Sequence, residues 1–142
     1  MYFPLLLTLA APPAEPACDL GPEAVVVYRF ADLPPAVITE ARRGFAVGGI
    51  AEAGAPYNAT DVIRAGLPQR QFVRGYGVGR YWIIWFEQGG FVSGRRTVAL
   101  RRVDTRRGEA ARYVMEPGTV FAGDACAASR AILAGVRSGL AY

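Results

Sequence analysis

Residues 81–86 read Tyr-Trp-Ile-Ile-Trp-Phe, and no other stretch constrains the fold of this chain as strongly. Successive side chains of an extended strand point to opposite faces, so a run that is apolar at every position must be covered on both sides. Such a strand belongs in the centre of a sheet, with Trp82 and Trp85 buried on opposite faces. Its neighbours are legible. Residues 71–76, 80–87, 91–103 and 110–116 read as strands, broken at Gly77 to Gly79, Gln88 to Gly90 and Thr105 to Gly108. Breaks this short require antiparallel pairing.

The flanking segments supply two helices. The β-branched run within residues 23–30 reads as a further strand. Asp32 can then cap a helix over about 33–43 that admits Pro34 and Pro35 in its first turn. Val37, Ile38 and Ala41 form its inner face, Glu40, Arg42 and Arg43 point away, and Gly44 ends it. Residues 45–60 read as a loop with a short strand at 45–47. Asn58 or Thr60 can cap a single helical turn over 61–64. Residues 119–121 read as a last short strand, and Asp124 can cap a second helix over about 125–138. Ile132, Leu133 and Val136 form that helix's stripe, and Gly139 ends it. The fold class is therefore α+β: an antiparallel meander of four to five strands with two helices. If both helices share one face, the other face needs cover.

Residues 1–11 are apolar and uncharged, too short to span a bilayer as a helix, and followed by small residues and prolines. They fit a signal peptide over residues 1–10, or to 17 at most, leaving 18–142 as a single α+β domain. No Arg precedes the apolar run, an unusual start for such a signal. The expected localisation is the bacterial periplasm or medium. In that oxidising setting Cys18 and Cys126, the chain's two cysteines, would form a disulfide. No transmembrane helix is expected in the mature chain.

Composition removes several chemistries. The chain has no His, and all 16 of its basic residues are Arg. Without His there is no Ser-His-Asp or Cys-His pair and no His-ligated zinc. Without Lys there is no Schiff base and no P-loop lysine. Two cysteines cannot supply the four ligands of a structural zinc. No metal, cofactor or catalytic residue is assigned. Carboxylate chemistry stays open through Glu52, Asp61, Glu87, Asp104 and Glu116, with Glu87 first to inspect. The glycines at 75, 77 and 79 superficially resemble a phosphate loop, but a strand follows where a helix N-terminus would be required.

The feature that gives function a direction is a cluster of arginines. Arg95, Arg96, Arg101, Arg102, Arg106, Arg107 and Arg112 are opposed only by Asp104 and Glu109. Strand alternation puts Arg95 and Arg101 on one face and Arg96 and Arg102 on the other, so one continuous patch is not guaranteed. Those four are the candidate binding residues for an anionic polymer or an envelope protein. Nearby aromatics give the cluster a nucleic-acid flavour. A buried central strand explains Trp82 and Trp85 without a ligand, so nucleic acid is not assigned as a partner. The reading is a small exported, non-enzymatic binding domain; its rival is a carboxylate-dependent hydrolase acting on a glycan or peptidoglycan.

Overall fold

A computed structural model describes residues 15–140. The expected signal peptide, residues 1–10, lies outside them. The structure is an α+β fold with one antiparallel sheet in meander order. Three long strands form its middle: β2 (Arg70–Val78), β3 (Tyr81–Gln88) and β4 (Gly94–Val103), and β1 (Val25–Val27) pairs with β2. The far edge of β4 is shared. β5 (Arg112–Met115) pairs with Leu100–Val103, and β6 (Phe121–Ala122) pairs with Arg96 and Thr97. Thr119 closes the gap between them: its hydroxyl accepts from the Ala99 N–H at 3.0 Å and donates to the Glu116 carbonyl at 2.7 Å.

The two helices take opposite faces of the sheet, so each face has a helix over it. α1 (Pro35–Gly44) lays Val37 and Ala41 over Phe72, Ile84, Phe86, Val98 and Leu100. α2 (Ala125–Leu133) lays Ala125 and Ile132 over Tyr76, Ile83, Trp85 and Ala99. The alternation within β3 thus divides one apolar run between two cores. Trp85 is 1 % exposed, stacks against Tyr76 at 4.9 Å, and donates its indole N–H to Ser129 Oγ at 2.9 Å. Trp82 lies on the other face but is only half-buried, less than its strand position suggests. Its ring rests on Gly77, where a Cβ would come within 2.7 Å of it, so the lack of a side chain at Gly77 makes room for the indole.

The Cys18–Cys126 disulfide is present, with Cα atoms 5.5 Å apart. It joins the first turn of α2 to the N-terminal segment, and the Cys18 N–H donates to the Tyr76 hydroxyl. Several local expectations are corrected. The 45–47 segment is a turn: the Val47 carbonyl accepts from the Arg70 guanidinium, and the Gly48 carbonyl beyond it accepts from the Gln69 N–H, with no partner strand alongside. Residues 61–64 form a bend and no helical turn. Asp32 falls in a 3-10 helix (Phe30–Asp32) and caps nothing, since α1 starts after Pro34. α2 stops at Leu133, not near 138: Gly135 adopts φ +87°, which ends the helix and leaves Val136 exposed. Asp124 does cap α2, accepting from the Ala127 N–H at 2.9 Å. Glu40, expected to face solvent, is 8 % exposed and accepts from Arg43 and from the Met115 N–H. That N–H lies on the outer edge of β5, and without the carboxylate it would be buried without a partner.

Candidate functional site at the two ends of the sheet

The four candidate arginines do not come together. Arg95 and Arg101 lie on the α2 face, and each is taken up by carboxylates. Arg95 bonds Glu87 and Glu15, both at 2.7 Å, and Arg101 bonds Glu116 at 2.6 Å. Burial works against the Arg95 charge, but the hydrogen bonds from its two carboxylate partners outweigh it and raise its pKa. The Glu116 hydrogen bond acts likewise on Arg101. Arg96 lies on the α1 face and donates to the Val92 carbonyl at 2.7 Å, bracing the β3–β4 turn. Arg102 is exposed.

What remains of the cluster lies at the end of the sheet formed by the β2–β3 and β4–β5 turns. Arg102, Arg106, Arg107 and Arg112 are exposed there. Arg80 reaches Asp104 at 2.8 Å, with both side chains more than half exposed. This is a solvated basic end.

The opposite end, where β2 and β4 begin and β3 ends, differs in kind. Three loops meet there. The Gln69 N–H donates to the Gly48 carbonyl, and the Gly89 N–H donates to the Gln69 carbonyl. The Asn58 N–H donates to the Pro68 carbonyl at 2.7 Å. The Asn58 side chain is buried, donates to the Val62 carbonyl and accepts from the Thr60 N–H and hydroxyl. Gly89 lies flat against it: a Cβ there would fall 1.9 Å from the Asn58 carbonyl oxygen. Beneath the 45–49 turn, buried Arg70 donates to the Val47 and Gly49 carbonyls and stacks on Phe45 at 5.0 Å. Burial lowers the Arg70 pKa from its ordinary value.

From this braced platform apolar side chains project outward. Phe91 is 91 % exposed, Ile63 and Val47 are 87 %, Val92 is 73 % and Val62 is 64 %. These are the five most exposed large hydrophobic residues among those described, and all belong to this one end. Single exposed apolar residues are ordinary on soluble proteins; here five stand on loops at the same end of the sheet.

The carboxylates read as catalytic candidates are dispersed. Glu52 accepts from the Phe30, Ala31 and Ala53 N–H groups, fixing the start of the 3-10 helix. Burial pushes its pKa up, but those three bonds outweigh it and hold the carboxyl below the usual range. Glu116 and Asp104 are in the ion pairs given above, and Asp61 is exposed. Glu87 shares Arg95 with Glu15, and Glu15, Arg95 and Trp85 line a cavity of about 540 Å³ beside the disulfide. Among the described residues no group of acidic, Cys or His side chains could hold a metal ion, and no helix is long and apolar enough to cross a membrane.

The fold and these surfaces define a disulfide-bonded α+β domain with one apolar and one basic end. No protein-family model, curated protein or solved structure matches the chain.

Proposed function

We propose that this chain is a non-enzymatic binding domain of the bacterial envelope that docks through the apolar end of its sheet. The observation that carries the reading is the gathering of the five most exposed large hydrophobic residues on one braced platform. The disulfide fits an oxidising compartment, and the apolar, uncharged residues 1–11 fit an export signal. An anionic polymer is the weaker form of the reading. It rests on the solvated basic end alone, because Arg95, Arg96 and Arg101 are already engaged.

Expression of the full chain in a bacterial host, followed by fractionation, tests the reading. The wild type should leave the cytoplasm, carry no free thiol and stay with the envelope fraction. The Ile63→Ser/Phe91→Ser variant should fold equally well and move to the soluble periplasm. Identical partitioning of the two proteins would overturn docking through this end. Intact Met1 on cytoplasmic protein would overturn the envelope assignment.

The hydrolase reading has one observation in its favour: Glu15 and Glu87 both bond Arg95, and Glu15 and Arg95 line a cavity. Both carboxylates accept N–H bonds from a single guanidinium. That arrangement is a staple between the N-terminal segment and the β3–β4 hairpin; a hydrolytic pair needs an acid and a base with distinct partners. Release of soluble fragments from peptidoglycan by the wild type, lost in Glu87→Gln, would restore the hydrolase.

A further inference from the structure

We infer that the open edge of β5 and the side of α1 next to it form a groove that takes up an extended acidic peptide as a further strand. The inference goes beyond docking through the apolar end and uses other residues.

The first ground is the edge itself. β5 pairs with β4 and with no strand on its other side. The Glu116 N–H donates to the Ala99 carbonyl, whereas the Met115 N–H turns the other way, to Glu40. Main-chain groups alternate in direction along an antiparallel strand, so the Tyr113 N–H and carbonyl face away from β4, as the Met115 N–H does. Glu40 closes the edge at Met115. Among the described residues no side chain caps Tyr113 in the same way. Unpaired main-chain groups on a sheet edge are a template for another strand.

The second ground is room beside that edge. α1 closes on β5 at Met115, where a Cβ on Gly44 would collide with the methionine side chain. Next to this contact Ala36, Thr39 and Arg43 of α1, together with Ala111 to Val114, line a cavity of about 580 Å³. Ala36 and Thr39 are short, which leaves width for the side chains of an incoming strand. Tyr113 packs against the core on the α1 side and forms the floor. Edge and helix thus supply the two parts of a strand-addition site: main-chain partners, and a pocket for alternate side chains.

The third ground is charge, and it selects the occupant. Arg112 lines the cavity, is exposed and makes no ion pair among the described residues. Ala111 also lines a second cavity, of about 240 Å³, which Arg102 reaches. Arg106 and Arg107 are exposed on the loop that leads into β5. Against these arginines stands Glu109, since Asp104 is held by Arg80. Edge-to-edge pairing with a second copy of β5 would bring two such sets of arginines together. A strand carrying Asp or Glu meets them with the opposite charge.

Selection from a phage library of random linear heptapeptides tests this, with the recovered peptides then titrated into the full disulfide-bonded chain by fluorescence polarisation. The recovered sequences should be rich in Asp, Glu and β-branched residues. N-methylation of alternate amides of such a peptide should split into two classes. One set, facing β5, should weaken binding by about tenfold or more, and the intervening set hardly at all. The Tyr113 amide of the protein should exchange more slowly with peptide bound, while the Arg112 and Val114 amides, which face β4, keep their rates. Arg112→Gln should weaken binding by about fivefold. Ile63→Ser/Phe91→Ser should bind as the wild type does, even if docking through the apolar end fails its own test. Recovery of no acidic sequence, equal sensitivity to both N-methylated sets, or an unmoved Tyr113 amide overturns the inference. So does loss of the peptide in Ile63→Ser/Phe91→Ser, which would place it at the apolar end. Alginate that binds as tightly as the peptides and slows no β5 amide would make the groove a site for polyanions at large, and the inference would fall. Self-association of the wild type through Tyr113 in sedimentation equilibrium would replace the peptide by a second copy.

Discussion

The two ends of the sheet are both made of turns between the same strands, yet they are built differently. At the basic end the charges face water, and the Arg80–Asp104 pair joins side chains that are 51 % and 86 % exposed. A pair of this kind contributes little; the Arg102 N–H also donates to the Arg80 carbonyl at 2.7 Å, which extends the β3–β4 pairing into this end. At the apolar end three loops are cross-braced by main-chain bonds, by a buried Asn and by a buried Arg. Exposed apolar side chains on a slack loop would fold back onto the protein. Holding them outward takes a rigid base, and the polar groups that form this base are buried and nearly all satisfied, with Arg70 Nε left unpaired. The contrast lies in the bracing: the loops that carry exposed apolar side chains are tied to one another, and the loops that carry the charges are held mainly by their own strands.

Removing the disulfide should have the largest effect and should strike both ends together. Cys18 and Cys126 are separated by 108 positions, and closing a loop of that size is worth about 4.7 kcal/mol in the chain-entropy model. Cys18→Ser/Cys126→Ser should lower the free energy of unfolding by roughly that amount in urea titration, with coincident transitions for probes at either end. Separate transitions would show that the two ends are not mounted on one cooperative body.

Gly89→Ala should break the comparison at one end only. The added Cβ falls on the Asn58 carbonyl oxygen, so the 58–63 loop has to leave the β3–β4 turn. A cost of about 1–3 kcal/mol is expected for such overpacking. Amide exchange should accelerate across 58–64 while 104–110 keeps its wild-type rates.

Acid should act next. Glu52 holds the N–H groups of Phe30 and Ala31, and Glu40 holds Arg43 and the Met115 N–H. The Arg43 hydrogen bond, with the Met115 N–H behind it, outweighs burial and keeps the Glu40 carboxyl low, and the three backbone N–H groups do the same for Glu52. Both groups are less protonated in the folded chain than in the unfolded one. Their stabilisation is complete above the unfolded carboxyl pKa, near pH ~4.3, and fades as pH falls through the lower folded values. Glu52→Gln should cost about 1–2 kcal/mol at neutral pH and flatten the acid limb of the stability profile.

Arg106→Gln/Arg107→Gln should do least, changing stability by less than about 0.5 kcal/mol, as surface substitutions away from packed features do. A larger loss would mean that the basic end is braced after all.

Much of this is legible in residues 81–86. Their two-sided apolarity puts β3 in the centre and Trp82 and Trp85 on opposite faces, and the short glycine breaks imply the antiparallel order. The disulfide follows from two cysteines behind an apolar leader. Helix ends are harder. Gly139 reads as the stop of α2 because it follows the apolar stripe, whereas Gly135 already breaks it with a left-handed φ. Glu40 looks solvent-facing because nothing local announces that β5 will bring the Met115 N–H against it, 75 positions away. The arginines between 95 and 102 stand out by their density, but strand alternation divides them and distant carboxylates engage two of them. The apolar end is hidden for a related reason. Val47, Ile63 and Phe91 are each unremarkable in sequence, and their common location depends on contacts between loops. Val47 and Phe91 read as strand residues, within 45–47 and 91–103, whereas the structure turns at both and starts β4 only at Gly94; the adjacent glycines at 48, 49, 89 and 90 are the signal available.

Hydrogen exchange of the full chain, with and without membrane vesicles prepared from a bacterial envelope, tests the central statement most directly. Docking through the apolar end predicts slowed exchange at 46–49, 58–64 and 89–92, with 104–110 unchanged. Slowed exchange confined to 104–110, with those three segments as fast as in the free protein, would contradict it and move the contact surface to the basic end.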